Sequence, residues 1–342
     1  MSPAPPMRLV VPAPALRDRV PHRGPAADAS GPPPFAEEVA ALLGERPRRL
    51  PSHALYDALG SSLFDAICNL PWYPITRAEI ALLQTHRQAI LEAAGRHPRV
   101  VELGPGNGEK LVTLMQGGGE DARFDVHLVD VSETALDAAS ARLRRLPGMS
   151  VHTHVARYEV GLREVARARV SGETLLVAFL GSNIGNFDPP EAGILLRDIR
   201  ESMLAGDTML IGADLVKPVD QLRIAYDDPL GVTAAFNSNL LVRLNRELGA
   251  DFDLEHFAHD ARWNPVAQRI EMHLVSLAQQ RVQVPGAGLV LDFHAGETIW
   301  TESSYKYEGE AFAGVLGSAG FTPVASWKDE DAGFLLTLAS AR

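Results

Sequence analysis

The sequence contains a single cysteine, Cys68, among 342 residues. One thiol closes no intramolecular disulfide and falls short of a cysteine-built zinc site, and such sparing use suits a reducing compartment, so a cytoplasmic protein is expected. Long apolar runs are also missing. None approaches the ~20 residues of a membrane-crossing helix, and no uninterrupted apolar core follows the first basic residue, so neither a membrane partner nor a secretory signal is expected. An excess of positive charge is absent as well: 32 Lys and Arg stand against 43 Asp and Glu, a formal net charge of −11. That field repels phosphate, so no nucleic-acid partner is expected. What remains is a globular chain, 46% hydrophobic, long enough for one large core or two modest ones and suited to a small or zwitterionic ligand.

Proline is present but unevenly spread. Ten of the 24 prolines fall in residues 1–34, a stretch without helical or strand periodicity that cannot bury enough apolar surface to offset its ordering entropy. Residues 1–35 therefore read as a disordered tail. Helical spacing follows in FAEEVAALLGE, in ALYDALGSSLFDAICNL and, after PWYPIT, in RAEIALLQTHRQAILEAAG. Thr76 is placed to cap the last of these, with Glu79 in capping-box position and Gly95 as terminator.

Apolar strands then alternate with helices. RVVELG, RFDVHLVDV, GMSVHTHVA, TLLVAFLG and TMLIGADLV read as strands, and EKLVTLMQG, SETALDAASARLRRL and PPEAGILLRDIRESML as helices; such alternation implies βαβ units and a mostly parallel sheet. Between 217 and 300 the rhythm breaks: TAAFNSNLLVRLNRELG is helical, whereas QRIEMHLVSLAQQRVQV and GLVLDFHAGETIW look like antiparallel strands. It returns in the helix YEGEAFAGVLGSAG and the strand FLLTLAS. The expected fold class is α/β: a Rossmann-like doubly wound domain, 79–216 and 308–342, interrupted by an inserted α+β domain to which 36–78 and 217–307 belong.

The chemistry concentrates in VVELGPGNGEK, residues 100–110. Gly104, Gly106 and Gly108, between a strand and a helix, let backbone and helix N-terminus approach a ligand closely. Asp130 ends the next strand, where an acid can accept hydrogen bonds from a ribose diol. Dinucleotide-binding turns usually read Gly-x-Gly-x-x-Gly; Glu-Leu-Gly-Pro-Gly-Asn-Gly looks instead like the turn of S-adenosylmethionine methyltransferases, and both cofactors stay open on the turn alone. Ser182, Asn183 and Asn186 lie at the end of a later strand, beside the same crevice, and Asp188 before Pro189 is a candidate helix cap. His152 and His154 share one strand face at a spacing seen in metal sites, but no third ligand is evident in the sequence and no metal is expected.

Several longer stretches carry a family resemblance: LYDALGSSLFDAICNLPWYPITRAE (55–79), VELGPGNGEK (101–110), FLGSNIGN (179–186), DLVKPVDQLRIAYDDPLGVTAAFNSNLLVRLNRELGADFD (214–253), ARWNPVAQRIEMHL (261–274) and GETIWTESSYK (296–306). Together they resemble the ergothioneine-pathway L-histidine Nα-methyltransferases. The resemblance implies S-adenosylmethionine in the Rossmann-like domain and L-histidine in the inserted one, with three methyl transfers to the α-amine giving hercynine. It places cofactor contacts on Gly104, Lys110, Asp130 and Gly181, to which the turn itself adds Gly106, and sets Tyr158 where the family contacts adenine, as a stacking residue. It places substrate-backbone contacts on Tyr56, Asn186 and Tyr226, imidazole contacts on Tyr73, Glu302 and Ser304, and Met272 along the side-chain pocket. A monomer is expected.

Glu302 and Ser304 lie two residues apart on one strand, so alternation sets them on one face, able to address the two sides of an imidazole. Methyl transfer from a sulfonium is an in-line displacement that needs alignment more than a strong base. Tyr56 and Asn186 are the expected catalytic residues, orienting the amine, whose proton leaves to water or a tyrosine-linked network. Two other readings stand beside this one: a methyltransferase of the same fold acting on tryptophan or another aromatic amino acid, and a protein that binds S-adenosylmethionine without chemistry.

Overall fold

A computed structural model describes residues 34–95, 98–116 and 123–342. The expected tail lies outside the described residues except for its last two, which open the first helix. Helix α1 (Pro34–Gly44), the short strand β1 (Arg48–Arg49), α2 (Ala58–Cys68) and α3 (Ile75–Ala94) precede β2 (Arg99–Leu103), α4 (Glu109–Met115), β3 (Phe124–Asp130), α5 (Glu133–Leu143), β4 (Met149–Val155), α6 (Tyr158–Arg167), β5 (Leu175–Phe179), α7 (Pro189–Glu201) and β6 (Thr208–Asp214). Then come α8 (Val219–Tyr226), α9 (Val232–Leu248), β7 (Phe257–Asn264), β8 (Arg269–Ser276), β9 (Gln280–Val284), β10 (Leu289–Phe293), β11 (Thr298–Tyr305), α10 (Gly309–Ser318), β12 (Phe321–Asp329) and β13 (Phe334–Ala341).

Seven strands form one sheet in the order β12-β13-β6-β5-β2-β3-β4. From β6 to β4 the strands are parallel, while β13 enters antiparallel between β6 and β12. Every residue of β5 and β6 is buried, as a parallel sheet covered on both faces requires. Leu83 and Ile90 of α3, Leu111 of α4 and Leu136 of α5 pack on one face; Leu162 of α6, Leu196 of α7 and Phe312 of α10 pack on the other. Chain order reverses between β2 and β5, and the crevice at their carboxyl ends is where such sheets take ligands.

The second sheet runs β1-β11-β8-β7, with β9 and β10 as a separate antiparallel pair. Its core joins Leu55, Tyr73 and Ile75 from the early helical segment to Phe236 and Leu240 of α9, Ile270 and Leu274 of β8, and Phe334 of β13. Beyond β11 the chain runs into the first sheet: Tyr307 bridges Leu215, and Val216 N–H donates to the Tyr307 carbonyl at 3.1 Å. Among the described residues, no helix is long and apolar enough to cross a membrane.

Two local expectations fail. Helix α3 begins at Ile75 with Pro74 before it and no side-chain cap. Thr76 is therefore already helical, and Glu79 sits a full turn inside, fully buried toward the sheet, instead of reaching back in a capping box. Asp188 precedes α7 with Pro189 at its first position but makes no capping hydrogen bond; its carboxylate accepts from the Tyr305 hydroxyl at 2.7 Å instead. Strand β12 gives little sequence signal because it is an edge strand with a bulge just after Pro323, a place where proline is tolerated and alternation breaks.

Candidate active site

The turn after β2 is built from backbone that only glycine adopts without strain. Gly104, Gly106 and Gly108 have φ of 71°, 55° and 78°, in the left-handed region. A Cβ on Gly104 would lie 2.8 Å from both the Asn183 side chain and the Tyr158 hydroxyl, whereas nothing lies within 4 Å of one on Gly106. That leaves a cradle open above Gly106 at the N-terminus of α4. Asp130 closes β3 beside it, its carboxylate taking the Ser132 N–H at 2.8 Å, and burial pushes its carboxyl above the usual range. The Tyr158 ring packs edge-on to Phe179 at 5.5 Å. Asn107 donates to Asp65 of α2 at 3.0 Å, tying the turn to the early helices.

Gly181, with φ of 79°, turns the chain after β5. Its N–H donates to both oxygens of Glu79, at 3.0 and 2.8 Å, and Lys110 pairs with the same carboxylate at 2.7 Å. Burial alone would lower the Lys110 ammonium, but Glu79 carries it above its ordinary range. Glu79, whose spacing suggested only a cap, thus holds together the two loops beside the crevice.

Glu102 is the penultimate residue of β2, just before the glycine turn, fully enclosed, with Oε2 lacking a protein partner. Burial pushes its pKa up to about 8, with Lys110 opposing. The folded state therefore keeps a proton that the unfolded chain gives up near pH 4.5. Stability from this group is full at low pH and is lost as pH rises toward 8, at up to about 1.4 kcal/mol per unit. We expect Glu102→Gln to flatten that decline; urea midpoints of both proteins between about pH 5 and 8 measure it.

All seven residues singled out as substrate contacts line one cavity: Tyr56, Tyr73, Asn186, Tyr226, Met272, Glu302 and Ser304, with Gly181 also in its lining. Tyr56 packs edge-on to Phe64 and Phe236 at 5.5 Å each, and Tyr73 to Tyr226 at 6.2 Å, giving an aromatic wall. Strand β11 adds polar groups. In it, Glu302 pairs in register with Met272 and Ser304 with Ile270, but the register shifts between Trp300 and Glu302. Trp300 pairs with His273, one residue along β8 and so on the other face. Strict alternation would have put Trp300 and Glu302 together. The irregularity sends Trp300 outward, between Arg49 and Arg269, and Glu302 inward. Thr301 fixes it, donating to the Met272 carbonyl at 2.9 Å and contacting Asn237 Oδ1 at 2.6 Å.

Burial pushes the Glu302 pKa up to about 7; Lys306 and the Tyr56 hydroxyl, which faces its carboxylate, hold it down from going further. Burial also pushes Tyr56 and Tyr73 well above the ordinary phenol range. A tyrosine so raised stays protonated at neutral pH and donates; it does not serve as a base.

Lys306 was given no role by the sequence, which shows only a lysine after a strand. Its side chain is fully enclosed, donating to the Tyr226 hydroxyl at 2.8 Å and Ser304 Oγ at 2.7 Å, and it pairs with Asp214 at 3.0 Å. Tyr226 and Ser304 are themselves 2.8 Å apart. Asp214, ending β6, also pairs with Lys217 at 2.5 Å. One buried ion network thus sets two cavity hydroxyls.

A doubly wound sheet with an open glycine cradle facing an acid-ended strand, and a polar and aromatic cavity alongside, defines a Rossmann-like methyltransferase. The glycine turn, Asp130 and the room above Gly106 fit S-adenosylmethionine. The chain belongs to the S-adenosylmethionine-dependent, histidine-specific methyltransferases, whose family model matches residues 35–341. It is 40% identical over 306 residues to the histidine N-alpha-methyltransferase of Mycobacterium tuberculosis (strain CDC 1551 / Oshkosh), covering 89% of this chain and 94% of that one. It is 25% identical over 317 residues to the L-tryptophan methyltransferase of Psilocybe serbica, covering 84% and 87%. A magnesium protoporphyrin IX methyltransferase from Synechocystis PCC 6803 matches with a TM-score of 0.44 and 12% identity over 83% of this chain and 95% of that one.

Proposed function

We propose that the protein methylates the α-amine of L-histidine, up to three times, giving the trimethyl betaine hercynine. The observation that carries this reading is the convergence of Glu302 and Ser304 with Tyr56, Asn186 and Tyr226 on one cavity. Two hydrogen-bonding groups on one strand suit the two nitrogens of an imidazole, and a plain aromatic side chain would use the remaining hydrogen-bonding capacity of neither in a buried site. The relatives named as histidine N-alpha-methyltransferases support the same substrate.

Gly104, Gly106, Lys110, Asp130, Tyr158 and Gly181 would hold S-adenosylmethionine, which supplies an electrophilic methyl group when bound. Asn186 lines the cavity and would orient the substrate amine; Tyr226, positioned by Lys306, would hold the carboxylate. Tyr56, kept protonated, would donate rather than abstract, so the amine proton leaves to water. The aromatic faces of Tyr56, Phe64, Tyr73 and Phe236 suit the growing cationic amine.

Purified protein incubated with S-adenosylmethionine and an equimolar mixture of amino acids tests the reading. Mass spectrometry should find histidine alone carrying one, two and three added methyl groups. Tryptophan as the product would replace the substrate assignment, and binding without turnover would replace the chemistry.

A further inference from the structure

A second cluster of ligating side chains lies away from the cavity, at the outer edge of the large sheet. His127 on β3 and His152 on β4 are direct partners in the parallel register, and their rings stack at 4.8 Å with 21° between planes. Both point at one carboxylate: Asp125 Oδ2 lies 3.2 Å from His127 Nε2, and Oδ1 lies 3.1 Å from His152 Nε2. The three candidate ligand atoms lie within 4.8 Å of one another. His154, which the sequence paired with His152, stands one step aside, its Nε2 2.9 Å from His127 Nδ1.

We propose that Asp125, His127 and His152 bind one divalent transition-metal ion of the zinc type. Two imidazoles and one carboxylate form a donor set that such ions prefer, whereas magnesium and calcium favour all-oxygen sites. His154 supplies what a metal-binding histidine needs on its other side. By accepting from His127 Nδ1–H it fixes the tautomer that leaves Nε2 free to coordinate. All four residues stand on paired strands, so the geometry is carried by the sheet and not by a loop. The carboxylate and rings also have near them Arg99, whose Nε lies 3.0 Å from Asp125 Oδ2, Ser150, whose hydroxyl is 3.1 Å from His152 Nε2, and the Glu164 charge, which acts on His154. The guanidinium competes with a cation for Asp125, so affinity is set by the imidazoles.

The cluster lies toward the start of β3, while Asp130, at its carboxyl end, faces the glycine turn. A bound ion would clip edge strand β4 to β3 and would not touch the reacting atoms. The notch is open to solvent, since His152 is exposed with half of its side chain accessible.

Isothermal titration of the untagged full chain with zinc chloride tests the proposal, alongside thermal unfolding with and without the ion. We expect one ion per chain at micromolar Kd or tighter, and a raised Tm. His152→Ala, at an exposed strand position, should fold, lose the Tm rise and bind at least about tenfold more weakly; His154→Ala should keep the stoichiometry with binding weakened by about tenfold. Magnesium should produce neither effect. Absence of saturable zinc binding in the wild type would overturn the site, and so would binding or stabilisation unchanged in His152→Ala. Methyl transfer by His152→Ala is expected at the wild-type rate, because its side chain reaches neither the cavity nor the glycine turn.

Discussion

Glu302→Gln is expected to lower kcat/KM for histidine by on the order of 10²- to 10³-fold, while its rates on other aromatic amino acids stay low and nearly unchanged. The carboxylate is buried, faces Tyr56 and stands across from Met272 at the inner wall of the cavity. An amide of the same shape still offers a carbonyl but no charge, so it loses the stronger charge-assisted bond to an imidazole N–H and turns a donor toward the Tyr56 hydroxyl. The loss falls only on substrates that use that bond, so discrimination narrows through histidine becoming worse. A pH profile separates this from misfolding. With its pKa near 7 in the free protein, Glu302 is protonated below that value and loses the charge that strengthens its bond to an imidazole N–H, so wild-type kcat/KM should rise through about pH 7. Glu302→Gln should lack this limb and keep only the one from the substrate amine. An unchanged profile would remove Glu302 from substrate recognition.

Much of this architecture is written locally. The strand endings at Glu102 and Asp130, the glycines at 104, 106 and 108, and the alternation of apolar runs with helices each follow from short-range pattern, and the sheet forms as that pattern implies. What the sequence hides is long-range. Glu79 looked like a capping residue because its spacing from Thr76 matched one, yet Pro74 moves the helix start and delivers Glu79 to Gly181 and Lys110. The aim of Glu302 depends on one irregular position in β11, fixed by Asn237 of a distant helix and by the Met272 carbonyl. The pair His152 and His154 looked too few for a metal because Asp125 and His127 become their neighbours only when β3 and β4 pair. In each case the missing information is a contact between segments that local periodicity does not encode.

Lys306→Met is expected to destabilise the protein by about 3 kcal/mol and to shift the chemistry as well. The ammonium is fully enclosed and carries three partners, Tyr226, Ser304 and Asp214. Methionine fills similar volume, so the loss is electrostatic: Asp214 keeps only Lys217, and the two hydroxyls keep only each other. An exposed ion pair would cost little, but a buried charge left short of partners is among the largest single-residue penalties. The second effect distinguishes a positioning role from a structural one. Lys306 is the main charge holding Glu302 down against burial, so its removal favours the protonated acid. The acid limb of kcat/KM should then move above pH 7, and activity lost at pH 7 should partly return at higher pH. Lys306→Arg restores the charge but not the compact fit between Tyr226, Ser304 and Asp214, and should recover the limb better than the rate. Unfolding midpoints and pH profiles of the two variants measure both effects, and a stability loss with an unmoved limb would reduce Lys306 to a structural residue.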